Sequence, residues 1–131
     1  MAESLTLTVS LRGTRDVRGT QYLNIQYQLF RLTGLLDAFS EPAFRKAMTK
    51  YVESGPAHII LDLSAIDFVD SSGLGALVQL VKKATGEGGT VQVVTNARVT
   101  QTVKLVRLEE YLSLQSSVEA AIAKLDPPPS V

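Results

Sequence analysis

The chain has 131 residues and a mass of 14.2 kDa, which fits one domain with one hydrophobic core. Thirteen basic and thirteen acidic residues cancel, so no global charge favours nucleic acid or an anionic membrane as a partner. Cysteine is absent, which excludes disulfides, thiolate catalysis and thiolate metal sites.

The amino-terminal residues predict a strand and no export signal. Apolar residues at 5, 7, 9 and 11 alternate with threonine and serine, as in an edge strand with one wet face. No apolar run approaches the roughly 20 residues of a bilayer-spanning helix. The chain is therefore expected to be cytoplasmic, without membrane contact.

A long connection over residues 12–22 is predicted to lead into a second strand. Its alternation begins at Leu23 and changes phase at Phe30, which indicates a bulge or a twist before Gly34.

The rest of the chain alternates between helices and strands. Ser40, Asn96 and Ser116 are predicted to lie at the starts of three helices. Apolar residues at helical spacing predict helices within 44–52, 74–81, 99–106 and 118–125. Short apolar runs predict strands at 58–63, 90–94 and 111–114, with a loop at 64–70.

This order of elements predicts a single α/β domain in which about four helices pack against a mixed β-sheet. We expect the domain to span residues 1–126, with an extra strand and loop at 1–20 and a flexible tail at 127–131.

Residues 68–75 carry the strongest functional signal, because a strand exit there meets the start of the second helix. The first amides of a helix lack internal partners, and together with the helix dipole they tolerate a phosphate. Ser71 and Ser72 lie at this position. Gly73 and Gly75 remove side-chain bulk at a cost of about 1 kcal/mol each. Spacing alone leaves two interpretations open, which are capping with tight packing or a surface for a partner.

The run from Asp70 to Gly75, with 32–37, 59–63 and 96–108 around it, resembles the STAS domain of the anti-sigma factor antagonists over residues 20–125. The resemblance implies that a partner kinase phosphorylates Ser71, with Ser72 the less favoured acceptor. It implies two partners, an anti-sigma factor serine kinase of histidine-kinase-like ATPase fold and a serine phosphatase. The unphosphorylated chain would bind the kinase and so release a sigma factor. Leu35 departs from the pattern, since many members carry an acid there.

A phosphoserine adds about −1.5 to −2 charge, which a helix start tolerates and a protein interface does not. The predicted docking surface comprises 37–40, 70–76 and 96–99, because loops after parallel strands gather at one sheet edge. Leu74 is either a contact or a core residue, and Asn96 either a contact or a helix cap. The candidate partner-binding residues are Asp37, Ser40, Asp70, Ser72, Gly73, Leu74, Gly75 and Asn96.

Other functions have less support. A serine hydrolase would need a base near Ser71, but the one histidine, His58, is predicted at the far end of its strand. Nucleotide binding is a better alternative, although P-loop and dinucleotide motifs are absent. The acids Asp62, Asp67 and Asp70 are too scattered for a metal site, so no metal or cofactor is predicted. A scaffold role in another bacterial signalling assembly and dimerisation through the extra strand both stay open.

Overall fold

A mixed sheet of six strands in sequential order forms the frame of the protein, as seen in a computed structural model. The structure describes residues 5–11, 17–23 and 26–125, with side chains described from residue 19 onward. The strands are β1 (Leu5–Leu11), β2 (Val17–Leu23), β3 (Gln28–Leu36), β4 (His58–Val69), β5 (Thr90–Val94) and β6 (Leu114–Gln115). The helices are α1 (Glu41–Ser54), α2 (Ser71–Gly86), α3 (Ala97–Leu105) and α4 (Val118–Leu125).

The mode of strand pairing changes once across the sheet. β1, β2 and β3 pair antiparallel, whereas β3, β4, β5 and β6 run parallel. The α/β class, the mixed sheet and the four helices are confirmed. The parallel half brings the carboxyl ends of β3, β4 and β5 to one edge, as such strands do in open α/β sheets.

Helices cover both faces of the parallel strands. Successive residues of a strand point to opposite faces of the sheet, so neighbouring strand residues pack against different helices. Phe30, Leu61 and Val93 belong to the main core, which also holds the apolar faces of α1, α2 and α3. Their neighbours Leu29 and Ile60 pack with α4 in a second, smaller cluster. Both faces of the sheet centre are thus apolar, as the continuous run at 58–63 predicts.

Two predicted loops are strands in the structure. Part of the connection expected at 12–22 forms β2, and most of the loop expected at 64–70 continues β4 to Val69. Continuation of β4 is favoured because Ile66 and Val69 remain buried against the helices while the residues between them are exposed. The bulge predicted before Gly34 is confirmed by a register shift between Arg31 and Thr33.

The carboxyl-terminal elements also differ slightly from expectation. The strand predicted at 111–114 is reduced to the two residues of β6. Helix α4 is capped by Ser117, whose hydroxyl accepts from the amide of Ala120, and not by Ser116. The connection residues 12–16 and the tail at 127–131 lie outside the described residues.

Buried polar contacts fix α1 against the sheet. The Gln28 amide nitrogen donates to the carbonyl oxygens of Tyr51, at 2.6 Å, and Pro56, at 2.9 Å. Its oxygen accepts from Gln21 at 2.8 Å. These bonds tie the buried Gln28 side chain of β3 to the last turn of α1 and to the segment that follows it, so α1 is anchored at its carboxyl end.

One ion pair joins α1 to α2. The Lys83 ammonium lies 2.7 Å from Glu53 Oε2, and the hydrogen bond to Glu53 raises the pKa of Lys83.

Candidate functional site

The candidate site lies where β3 and β4 end side by side. The amide of Asp70 donates to the carbonyl oxygen of Leu36 at 3.2 Å, which closes the parallel ladder. Asp70 then caps α2, since its Oδ1 accepts from the Gly73 amide at 3.0 Å. Its Oδ2 accepts from the Ala38 amide at 3.1 Å. One carboxylate therefore fixes both the helix start and the turn that follows β3.

That turn, residues 37–40, is held by its own side chains. Asp37 Oδ1 accepts from the amides of Phe39, at 3.0 Å, and Ser40, at 3.1 Å. The Ser40 hydroxyl donates to the Leu35 carbonyl oxygen at 2.8 Å and accepts from the Asp37 amide at 3.0 Å. Four hydrogen bonds thus fix the turn, which needs no partner to order it.

Ser40 lies at the N-cap position of α1, as predicted, but its side chain makes no capping hydrogen bond to that helix. The side chain is also fully buried, which opposes its predicted role as a contact for a docked partner. Both outcomes have one cause, because the hydroxyl is consumed by the turn that positions Asp37. Ser40 acts as a positioning residue for this edge of the sheet.

Ser71 is the first residue of α2 and its side chain is exposed. Its hydroxyl has no hydrogen-bond partner among the residues that the structure describes, and the amides of Ser71 and Ser72 have no acceptor there either. No acidic residue lies in the first turn of the helix. Free amides and the positive end of the helix dipole therefore surround a hydroxyl that a second protein can reach. Ser72 is half-buried.

The two glycines of the motif differ in the space around them. A Cβ on Gly73 would lie 2.3 Å from the Leu36 carbonyl oxygen, so only glycine lets α2 pack this close to β3. A Cβ on Gly75 would meet nothing within 4 Å, and this residue is exposed. Gly73 is therefore explained by packing, whereas packing does not explain Gly75.

Leu74 is a core residue at 7% exposure, and it also forms part of a surface groove. The groove has a volume of about 310 Å³ and is mostly apolar. We call it the α2 groove. It is lined by Ser71, Leu74, Gly75, Val78, Gln79, Val106 and Leu108.

Asn96 lies apart from Ser71. It caps α3 through a 2.8 Å bond from the Val99 amide to its Oδ1, so the capping interpretation is confirmed. Its amide nitrogen donates to the carbonyl oxygens of Ser64, at 3.1 Å, and Ile66, at 2.8 Å. Because Ile66 precedes Asp70 by four strand residues, Asn96 lies about 13 Å along β4 from the helix start. Asn96 and the start of α3 therefore lie to one side of the Ser71 site and not within it.

Two exposed aromatic residues border the site. Phe39, in the 37–40 turn, is 66% exposed, and Phe68, near the end of β4, is 46% exposed. The sequence gives a weak signal for Phe39, which falls outside the apolar spacing of α1. Exposed aromatic side chains of this size favour a protein interface at this edge of the sheet.

The residues considered for other chemistry lie elsewhere. His58 begins β4 at the opposite end of the strand from Ser71, and its Nδ1 lies 3.0 Å from the Thr90 hydroxyl. Asp62 is buried and accepts from the amide and hydroxyl of Ser64. The described residues contain no cluster of acids and histidine that could hold a metal ion. None of the helices in the described part of the chain is long and apolar enough to span a bilayer.

Comparison with known proteins agrees with this geometry. A family model described as STAS domain matches residues 20–121, so the chain belongs to the STAS domain family. A Thermotoga maritima protein assigned as an anti-sigma factor antagonist is 20% identical, with a TM-score of 0.74 over 80% of this chain and 92% of that one. An anti-sigma factor antagonist from Mycobacterium paratuberculosis is 22% identical, with a TM-score of 0.69 over 94% of both chains. The anti-sigma factor antagonist SpoIIAA, in its unphosphorylated form, is 18% identical, with a TM-score of 0.63 over 81% of this chain and 94% of that one. The fold is that of the anti-sigma factor antagonists.

Proposed function

We propose that this chain is a partner-switching regulator and not an enzyme. Its unphosphorylated form binds an anti-sigma factor that is also a serine kinase of histidine-kinase-like ATPase fold, and so releases a sigma factor in the cytoplasm. Phosphorylation of Ser71 abolishes this binding, and a serine phosphatase restores it.

One observation carries the proposal. The Ser71 hydroxyl is exposed and has no hydrogen-bond partner within the described residues, and it stands at the start of α2. A kinase can reach it without unfolding the domain. The free amides of Ser71 and Ser72 and the helix dipole offset the charge of a phosphate, so the modified chain stays folded.

The same phosphate would act strongly on a docked partner. Burying an incompletely compensated charge costs several kcal/mol, and Asp70 adds a second negative charge beside it. A penalty of about 3 kcal/mol weakens binding roughly a hundredfold. The exposed Phe39 and Phe68 support an interface that includes this edge. Local electrostatics is then sufficient for the switch.

The test is affinity capture from the native cell with wild type, Ser71→Ala and Ser71→Asp. We expect the alanine form to capture a kinase of ATPase fold and the aspartate form to lose it, and mass spectrometry to locate the phosphate on Ser71. Thr85→Asp is the matched control, because it places the same charge on an exposed side chain near the opposite end of the same helix. Equal capture by the Ser71→Ala and Ser71→Asp forms would contradict the proposal.

Calorimetry with purine nucleotides tests the alternative of ligand binding. Micromolar binding by the isolated chain, lost in Ser71→Asp, would favour a nucleotide site at the helix start over the protein switch.

A further inference from the structure

The sheet has one long open edge, which is the outer side of β1. β1 pairs with β2 alone, so its other side has no neighbouring strand among the described residues. The opposite edge of the sheet is β6, which has only two residues. β1 has seven residues and spans about 23 Å. A row of backbone donors and acceptors of this length is a template for a further strand.

β1 lacks the features by which proteins usually block an open edge, which are charges, prolines, bulges and very short strands. Residues 5–11 contain no proline and no charged residue. Pairing with β2 is continuous from Leu5 opposite Leu23 to Leu11 opposite Val17, without the register shifts that interrupt the pairing of β3 and β4. An unprotected edge of this regularity pairs readily with another strand.

The proposed switch does not use this edge. The match to the STAS family model covers residues 20–121, so β1 lies before it. Ser71 follows β4, which is three strands away from β1 in the sheet. At about 4.8 Å per strand, this separation is about 14 Å. Binding of a kinase at the start of α2 therefore leaves the β1 edge unexplained.

The sequence of β1 is complementary to itself in an antiparallel pair centred on Thr8. The opposed residues are then Leu5 with Leu11, Thr6 with Ser10, Leu7 with Val9, and Thr8 with Thr8. Apolar residues oppose apolar residues and hydroxyl residues oppose hydroxyl residues over the full strand, which is the favourable arrangement of cross-strand pairs. A charge at the central position would oppose the same charge, and threonine avoids that repulsion. The pattern favours a second copy of this chain as the occupant of the edge.

We propose that this chain forms a two-fold symmetric dimer in which β1 pairs antiparallel with β1 of a second copy, centred on Thr8. The two six-stranded sheets then join into one continuous sheet. About six to eight backbone hydrogen bonds cross the interface, depending on which residues of β1 point their amides outward. Each copy covers the open edge of the other, so the assembly closes at two chains.

The dimer keeps both Ser71 sites accessible. Its two-fold axis is normal to the sheet and reverses the strand direction, so the two sites lie at opposite ends of the joined sheet. Seven strand spacings, about 34 Å, separate β4 of one copy from β4 of the other. One dimer thus presents two separate docking sites. The inference goes beyond the proposed function and does not depend on it.

Engineered cysteines test the pairing, because the chain has no cysteine of its own. Opposed Cα atoms in an antiparallel pair lie about 4.5–5.5 Å apart, which a disulfide can bridge. Thr8→Cys should therefore form a disulfide-linked dimer under mild oxidation. Thr20→Cys is the matched control, since Thr20 lies opposite Thr8 on β2. In the dimer the two copies of position 20 would be about 14 Å apart, too far for a disulfide.

Charges at position 8 test the same axis without a covalent bond. The mass of the wild type in sedimentation should approach twice 14.2 kDa as its concentration rises. Thr8→Glu and Thr8→Lys should each remain monomeric, because like charges oppose each other on the axis, and an equimolar mixture of the two should restore the dimer. Thr20→Glu, one strand further in, should dimerise as the wild type does. Circular dichroism of each variant checks that the fold is retained.

Any of three results would overturn the inference. The first is a wild type that keeps the mass of one chain at every concentration, which would leave the edge for an extended segment of another protein. The second is a dimer that persists in both Thr8→Glu and Thr8→Lys, and the third is equal cross-linking of Thr8→Cys and Thr20→Cys. None of these measurements involves Ser71, so failure of the dimer and failure of the switch are distinguishable.

Discussion

The amide of Ala38 donates to the Asp70 carboxylate at 3.1 Å, although the two residues are 32 positions apart in the sequence. The other carboxylate oxygen caps α2 through the Gly73 amide. The turn after β3 and the start of α2 are thereby joined through one side chain. Ser71 follows directly, so the geometry around its hydroxyl depends on this link.

Replacing Asp70 by alanine is expected to lower the free energy of unfolding by about 1 kcal/mol, the usual value of a lost helix cap. It should also increase hydrogen exchange at the Ala38 amide, because the acceptor of that amide is removed. Asp70→Asn should keep the cap but replace one acceptor oxygen by a donor, so Ala38 exchange should still increase. Denaturant unfolding and exchange measured by NMR check both effects. An unchanged Ala38 exchange rate in the alanine variant would contradict the link.

The two motif glycines are expected to respond oppositely to alanine. Gly73→Ala should destabilise the fold by about 1–3 kcal/mol, since its methyl group would overlap the Leu36 carbonyl oxygen. Gly75→Ala should stabilise it by about 0.5–1 kcal/mol, because the site is open and alanine favours the helix. Thermal unfolding of the pair measures the contrast. Destabilisation by both changes would mean that Gly75 also has a packing role.

Asn96 is expected to be irreplaceable by aspartate. Aspartate caps helices about as well as asparagine, yet it cannot donate to the Ser64 and Ile66 carbonyl oxygens. A carboxylate would instead face two acceptors. Asn96→Asp should therefore be at least as destabilising as Asn96→Ala, by about 1–3 kcal/mol. Urea unfolding of both variants is the measurement, and a neutral Asn96→Asp would show that only the cap matters.

The Lys83–Glu53 pair gives stability a dependence on alkaline pH. Hydrogen bonding to Glu53 raises the pKa of Lys83, so the folded state binds the proton more tightly than the unfolded state. The contribution is complete below the ordinary lysine pKa of about 10.4 and is lost as the pH rises through the higher pKa of the folded state. The difference in melting temperature between wild type and Lys83→Met should shrink in that range. Lys82→Met, which removes an exposed lysine with no ion pair in the described structure, should show no such change.

Much of the fold follows from local patterns in the sequence. Apolar spacing predicts the four helices and the central strands, because burial of one helix face or of a whole strand leaves a periodic signature. The motif at Asp70 to Gly75 likewise marks the start of α2, since caps and glycines act through neighbouring backbone.

The sequence does not predict the length of β4 or the burial of Ser40. Residues 64–69 contain Ser64 and Asp67 and resemble a loop, but pairing with β3 keeps them extended. Ser40 has the sequence context of a cap, yet its hydroxyl bonds within the turn. In both cases the deciding hydrogen bonds depend on the three-dimensional course of the backbone.

What the sequence determined by itself is the α/β domain and the helix start at the motif Asp70 to Gly75, with Ser71 as its first residue. Only the tertiary structure decided that Gly73 is fixed by packing and Gly75 is not, and that Val106 and Leu108 join Ser71 in lining the α2 groove. The reason is physical. Periodicity and capping act over a few residues of one chain segment, whereas a close approach or a groove is formed by atoms that are distant in sequence and meet only after the sheet and helices have packed.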